Sequence, residues 1–269
     1  MGGFLMRKIK KFFAILLILV LLPYIITVFI NGSEMASKDL ALLDEYCLSV
    51  LAKEVSSEYE DEMLKVQAVI VRTSIYQRVK EIVPEEIEAL DLDSSWYHRL
   101  KKAWQETEGQ VLMYGDKLAL LPFHYLSNGM TRSGAEVLQS EEYPYLKVRE
   151  CKTDLESEKQ LEIKMLELTG ASVVSVDSAG YVLEVKVGEE VQSGDSFRDT
   201  YGLASSSFEL QSFSDSTRAI TKGIGHGLGL SQYSANEMAK TGKTYQEILQ
   251  HFYEGTEMKE VAEVLWNME

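Results

Sequence analysis

The chain has 269 residues, of which 45% are hydrophobic, and a formal net charge of −15 at pH 7. So acidic a chain repels the phosphates that supply most of the affinity for nucleic acids, which argues against nucleic-acid binding. It also repels anionic polymers, whereas a near-neutral glycan is an easier partner. The length suffices for one large domain or two small ones with a hydrophobic core.

The N-terminus has the features of a membrane anchor. Residues 1–11 contain four basic side chains and no acidic one, and residues 12–30 are uncharged throughout. A helix of that length, rising about 1.5 Å per residue, spans a hydrocarbon core of about 30 Å. The charges predict a cytoplasmic N-terminus and an outer domain over residues 40–269, after a linker at residues 31–39. A cleaved signal peptide is the alternative, but its apolar core is usually shorter and no convincing cleavage site follows.

Two helices are predicted at the start of the domain. Apolar residues at helical spacing predict the first over residues 40–55 and the second over residues 60–80. Ser56 or Ser57 is in position to cap the second helix. The charged residues 81–108 are predicted to be helical or to form an excursion on the surface.

The middle of the chain carries strand patterns. Residues 110–125 predict a hairpin with Gly115-Asp116 at its turn, and residues 171–176 and 181–187 predict two strands joined by a tight turn. Residues 231–269 again have a helical pattern. This order predicts an α+β domain rather than a regular βαβ alternation, so a parallel nucleotide-binding sheet is not indicated.

The most unusual stretch is GIGHGLGLSQYSAN at residues 223–236. Its alternating glycines allow the backbone to approach a ligand or another strand closely, but their spacing fits neither a dinucleotide fingerprint nor a P-loop. His226 and the polar residues after it are donors and acceptors suited to sugar hydroxyls. A glycine-rich turn that leads into a helix, with a buried histidine, fits the same pattern, and the residues alone leave both interpretations open.

Two charged residues near the start of the domain are candidates for chemistry. Glu54 lies at the end of the first predicted helix, where a carboxylate is ordinarily solvated. Only partial burial would favour its protonated, proton-donating form. Arg72 lies in an apolar setting and needs a partner if it is buried, for which Glu54 and a glycan hydroxyl are candidates.

The sequence contains no strong metal signature. Its four histidines are scattered without an HExxH pattern, and there is no GxSxG nucleophile motif. Cys47 and Cys151 could form one disulfide outside the cell, although two small buried side chains are the preferred interpretation. No cofactor is predicted.

Three separated stretches together resemble the stage II sporulation protein D family of peptidoglycan lytic transglycosylases. The first covers residues 54–73 and the second is centred on residues 123–131. The third and most specific is the glycine–histidine–glycine segment with Ser-Gln-Tyr at residues 231–233. Order and spacing agree with the family over residues 40–257, and the N-terminal apolar run also fits.

The resemblance implies a reaction and a set of site residues. Such enzymes cut the bond between N-acetylmuramic acid and N-acetylglucosamine without water, using one acid that protonates the leaving oxygen and then acts as a base on the 6-hydroxyl, which closes a 1,6-anhydro ring. Glu54 would be this acid and base. The residues that would hold the glycan and the developing charge are Arg72, Thr73, His124, Ser127, Asn128, Thr131, Gly225, His226, Gly227, Ser231, Gln232 and Tyr233.

The chain departs from the family pattern where zinc is concerned. Some members resemble a zinc-binding variant with one histidine and two cysteines in the second stretch. Here Ser127 stands at the position of the nearer cysteine, and Cys151 lies beyond Pro-Tyr-Leu rather than before it. We therefore predict no metal site.

The resemblance also implies partners and a location. The expected substrate is peptidoglycan glycan strands stripped of stem peptides, with an amidase and membrane proteins as partners. The expected place is the outer face of the cell membrane, in sporulation (engulfment) or in another remodelling of the wall. Two alternatives stay open: a non-catalytic wall-binding module would bind glycan without turnover, and a structural subunit of a membrane complex would tolerate replacement of Glu54.

Overall fold

The computed structural model describes residues 45–77 and 94–261. The predicted span at residues 12–30 and the linker after it lie outside these residues; within the described part, no helix has the length and apolar character needed to cross a membrane. Residues 50–77 and 94–261 belong to one compact unit, whereas residues 45–49 belong to a second. The larger unit is a mixed α+β structure, as predicted.

Helices and strands alternate irregularly along the chain. The helices are α1 (residues 45–54), α2 (Asp61–Gln77), α3 (Ser95–Glu106), α4 (Gly134–Leu138), α5 (Gly194–Tyr201), α6 (Gln232–Lys240) and α7 (Tyr245–Phe252), with a 3-10 helix at Lys152–Glu156. The strands are β1 (Gln110–Tyr114), β2 (Lys117–Leu118), β3 (Phe123–His124), β4 (Leu161–Leu166), β5 (Ala171–Val176), β6 (Val182–Val187), β7 (Glu190–Ser193), β8 (Phe208–Ser212), β9 (Thr217–Lys222), β10 (Leu230–Ser231) and β11 (Glu257–Glu260).

Helix α2 is the central element of the helical part. It is buried along most of its length and packs against α3, α6, α7 and β1, which explains its apolar residues on nearly every side. The predicted serine cap is wrong. Ser56 Oγ instead accepts a hydrogen bond from the Glu58 amide in a turn ahead of the helix, and the Glu60 carbonyl accepts the amide of Leu64.

Strand β1 lies between β2 and β11 and is antiparallel to both. The β1–β2 pair confirms the predicted hairpin over residues 110–118, with Gly115 in the left-handed region at its turn. The rest of the predicted range is not part of it, because Phe123–His124 pairs with β10. Strand β11 corrects the prediction of helix up to the end of the chain. Its residues pair with β1, and tertiary pairing overrides the local helical pattern there.

Two further sheets are three-stranded and antiparallel. One has the order β4-β9-β8, and the other, β5-β6-β7, contains the strand pair predicted at residues 171–176 and 181–187. A core cluster that includes Val185, Phe197 and Phe208 joins them, with the two phenylalanine rings 5.4 Å apart. A short parallel pair, β3 and β10, brings the second and third stretches side by side.

Candidate functional site

Glu54 is the last residue of α1, and its side chain is exposed. The partial burial that would make a helix-end carboxylate unusual is therefore not present in this structure. What distinguishes Glu54 is its backbone. Its carbonyl oxygen accepts a hydrogen bond of 2.7 Å from Nε2 of Gln232, in the third stretch.

Helix α6 holds both ends of the segment from Glu54 to Glu60. Gln232 binds the Glu54 carbonyl, and the Tyr59 hydroxyl donates to Gln232 Oε1 at 3.5 Å. At the far end, the Glu60 amide donates to Asn236 Oδ1 at 2.8 Å. Two side chains of α6 thus fix both ends of the loop that follows Glu54.

Two buried side chains, Gln67 and Tyr59, contact Gln232. Gln67 Oε1 accepts a hydrogen bond of 3.3 Å from Gln232 Nε2, while its own Nε2 has no hydrogen-bond partner among the described residues. Burial raises the pKa of Tyr59, with smaller contributions from Tyr125 and Asp154. Tyr59 is therefore a neutral hydrogen-bond donor at physiological pH.

The glycines of the third stretch pack against other parts of the chain. At Gly229 an added Cβ would overlap the carbonyl oxygen of Pro122, and at Gly227 it would overlap the Tyr181 ring. Positive φ angles, which favour glycine, occur at Gly223, Gly225, Gly227 and Gly229. The segment leads into helix α6, as the second interpretation predicts, and other parts of the chain approach its backbone closely at Gly227 and Gly229.

His124 and His226 lie side by side, with ring centroids 5.8 Å apart. His124 Nδ1 is 3.3 Å from the Leu228 carbonyl, and its Nε2 is buried without a hydrogen-bond partner in the described part of the chain. Burial, aided by His226, lowers the pKa of His124 to about 3. His226 Nδ1 accepts the Leu228 amide at 3.0 Å, and burial lowers its pKa as well. Both rings are therefore neutral at pH 7.

A fully buried carboxylate, Asp154, joins the second and third stretches. Its Oδ2 accepts the Ser127 amide and the Ser231 hydroxyl, each at 2.7 Å, and its Oδ1 accepts the Ser234 hydroxyl at 2.6 Å. The sequence prediction missed Asp154. Its neighbours in the sequence, Lys-Thr and Leu-Glu, are typical of an exposed turn, and a single aspartate carries no signal of burial.

The polar residues of the second stretch belong to the same framework. Asn128 Nδ2 donates to the Ala179 carbonyl at 2.9 Å and to Ser207 Oγ at 3.0 Å. Thr131 is buried, and its hydroxyl donates to the Lys147 carbonyl at 3.0 Å. These bonds connect loops of the protein to one another, so both side chains act as structural links here.

Arg72 and Thr73 are buried as well. The Arg72 guanidinium lies 3.7 Å from the centre of the Trp104 ring and donates to the carbonyls of Trp104 at 3.0 Å and Thr107 at 2.7 Å. The Thr73 hydroxyl accepts the Leu112 amide at 3.1 Å. Within the structure, both residues have a supporting role and hold α3 and β1 against α2.

Few of the predicted binding residues reach the surface. Glu54 is exposed, and Asn128, Gly225, His226 and Tyr233 are half-buried. Those that are buried are Arg72, Thr73, His124, Ser127, Thr131, Gly227, Ser231 and Gln232. The structure therefore brings Gln232 to Glu54 and makes most of the three stretches a framework beneath the surface.

In the described part of the chain, no group of three or more His, Cys, Asp or Glu side chains is placed to hold a metal ion. Cys47 and Cys151 are both buried thiols rather than halves of a disulfide. Burial raises the pKa of Cys151 to about 12. The preferred interpretation, two small buried side chains, is confirmed.

Similarity to known proteins establishes the family. A family model described as Stage II sporulation protein matches residues 32–114. Stage II sporulation protein D of Bacillus subtilis (strain 168) is 30% identical over an alignment of 256 positions. The match covers 81% of this chain and 74% of that protein. The chain belongs to the stage II sporulation protein D family. The family predicted from the three stretches is confirmed.

Two further relatives of this family member extend the comparison. Stage II sporulation protein D of Bacillus amyloliquefaciens is 29% identical over 262 residues, covering 83% of this chain and 76% of the relative. A Bacillus subtilis (strain 168) protein named amidase enhancer is 25% identical over an alignment of 278 positions. That match covers 77% of this chain but 39% of the amidase enhancer.

Proposed function

We propose that this member of the stage II sporulation protein D family is a lytic transglycosylase of peptidoglycan, with Glu54 as acid and base. The observation that carries the proposal is the 2.7 Å hydrogen bond from Gln232 to the Glu54 backbone carbonyl, which fixes the backbone of a residue whose carboxylate is exposed. The names of the relatives refer to sporulation and to enhancement of an amidase. They support a role in sporulation and in remodelling of the cell wall.

One carboxyl group is enough for the reaction. It donates its proton to the glycosidic oxygen as that bond breaks, and then accepts the proton of the muramic 6-hydroxyl as this oxygen bonds to the anomeric carbon. The products are a 1,6-anhydro end and a free 4-hydroxyl, and no water is consumed. A glycan strand over Glu54 would displace water from the carboxyl group, and desolvation favours the neutral, proton-donating form.

Two tyrosines next to Gln232 suit a sugar. Tyr233 is half-buried, and its amide donates to the Tyr125 carbonyl at 3.0 Å, so the backbones of these two tyrosines adjoin. Tyrosine rings present an apolar body and a polar hydroxyl, which match the faces and hydroxyls of a pyranose. We include Tyr125 in the proposed glycan surface, although the sequence did not single it out.

The proposal includes a location and a partner. The basic residues 1–11 and the apolar residues 12–30 support anchoring in the cell membrane with the catalytic domain outside. The relative named amidase enhancer supports an amidase as partner, one that removes stem peptides before the glycan is cut.

Product analysis tests the proposal. The full chain is incubated with denuded and with peptide-bearing glycan strands, and the products are identified by mass. We expect 1,6-anhydro ends from the native protein and a loss of at least about 100-fold in Glu54→Gln, the scale of general acid–base catalysis. Glu58→Gln, which changes an exposed carboxylate in the loop that follows Glu54, is the matched control and should retain activity.

Other products would point to other functions. Reducing ends in place of anhydro ends would identify a hydrolase. Intact strands that are pulled down equally by native protein and Glu54→Gln would identify a wall-binding module. Full activity in Glu54→Gln would refute the role of Glu54.

A further inference from the structure

Strand β4 is an edge strand with an apolar row facing solvent. In the sheet order β4-β9-β8 it pairs with β9 alone, and no other described strand covers its outer edge. Its residues Leu161, Ile163 and Met165 are 62%, 64% and 55% exposed. Proteins usually blunt such edges with proline, bulges or short strands, because an open apolar edge pairs readily with another strand.

The strand register shows which peptide groups of β4 point outward. The Lys222 amide donates to the Ser207 carbonyl, on the β8 side of β9. Because peptide groups alternate in direction along an antiparallel strand, those of Thr221 point to β4, where Thr221 pairs with Glu162. The peptide groups of the three exposed apolar residues therefore point to the outer edge and are available to a further strand.

We propose that the occupant of this edge is β4 of a second copy of this chain, paired antiparallel about Ile163. Ile163 then faces Ile163 of the second copy, and Leu161 faces Met165. Glu162 faces Lys164 on both sides of the two-fold axis. A two-fold interface needs a surface that is complementary to itself, and opposite charges directly across an antiparallel pair are stabilising.

The charges select this register over its neighbours. A pairing centred on Glu162 or on Lys164 would place two like charges opposite each other, which is destabilising. Lys164 is also held in place, because its Nζ donates to the carbonyls of Tyr201 at 2.8 Å and Gly202 at 2.9 Å. It makes no ion pair with a described residue, so Glu162 of the second copy would supply its carboxylate.

Cysteine cross-linking of the full chain tests the register. Residues facing each other in a hydrogen-bonded antiparallel pair have Cα atoms about 5.5 Å apart, within the span of a disulfide. Ile163→Cys is therefore expected to form a covalent dimer on mild oxidation. Leu161→Cys alone should not, because its two copies would lie about 14 Å apart, four residues along the strands. A mixture of Leu161→Cys and Met165→Cys chains should cross-link.

A charge reversal gives a second measurement. Glu162→Lys places like charges opposite Lys164 twice and should weaken the dimer about tenfold in sedimentation equilibrium. Glu158→Lys, which makes the same charge change at an exposed position before β4, is the matched control. Equal cross-linking of Ile163→Cys and Leu161→Cys, cross-linking of neither, or equal weakening by both charge reversals would overturn the proposal.

Discussion

Replacing Asp154 by alanine should destabilise the protein strongly, because it removes the carboxylate whose hydrogen bonds connect the second and third stretches. The Ser234 hydroxyl keeps a hydrogen-bond partner in the substituted protein, since it lies 3.0 Å from the Thr153 hydroxyl. The Ser127 amide and the Ser231 hydroxyl lose their acceptor. A hydrogen bond to a charged group contributes about 1.5–3 kcal/mol, so two of them give about 3–6 kcal/mol. Removal of a buried polar group that is costly to desolvate offsets part of this loss, and we expect a net cost of about 2–5 kcal/mol.

Urea unfolding followed by tryptophan fluorescence measures this cost. Asp154→Asn keeps one acceptor and should lose less than Asp154→Ala. Glu156→Ala, at an exposed position of the same 3-10 helix, is the control and should stay within about 0.5 kcal/mol of the native protein. A loss below about 1 kcal/mol in Asp154→Ala would show that the two stretches are held together by other contacts.

Two further substitutions test the packing around the histidines. Gly227→Ala should lower the unfolding free energy by at least about 2 kcal/mol, because its Cβ would overlap the Tyr181 ring and φ is positive there; an unchanged melting temperature would contradict this. The pKa of His124 is about 3 when folded, far below its ordinary 6.5, so only the unfolded chain gains this proton between those values. The stability that His124 supplies is thus present above pH 6.5 and falls with pH by up to about 1.4 kcal/mol per unit. Unfolding at pH 7, 6 and 5 should show a shallower loss in His124→Gln, and parallel curves would refute it.

Local patterns predicted much of the fold. The apolar spacing over residues 60–80 and the glycine at the turn of the β1–β2 hairpin each act within a few residues, so they can be read from the sequence. Strand β11 escaped prediction because its hydrogen bonds come from β1, far away in the chain. The cap of α2 was mispredicted because Ser56 forms a local turn with Glu58 instead.

The sequence likewise predicted some features of the candidate site, whereas others depend on the fold. The three-part motif identified the family and placed Gln232 in the site, but the sequence could not show that Gln232 binds the protein's own Glu54 carbonyl. Alternating glycines indicate that a ligand or another segment approaches the backbone closely. Only the fold shows that at Gly227 and Gly229 it is another part of the chain. Asp154 gave no signal, because burial of a lone aspartate depends on which donors the fold gathers around it.

The hydrogen bond between Glu54 and Gln232 cannot form until the ribosome has synthesised both residues. The two residues are separated by 178 positions, and a chain grows at about 5–20 residues per second, so roughly 9–36 s pass between them. Contacts of such long range also form late in folding, because a large loop must close first. A nascent chain therefore emerges before Gln232 can bind the Glu54 carbonyl. Under the proposed function, a chain that is still incomplete would lack a fixed Glu54 and would not yet cut peptidoglycan.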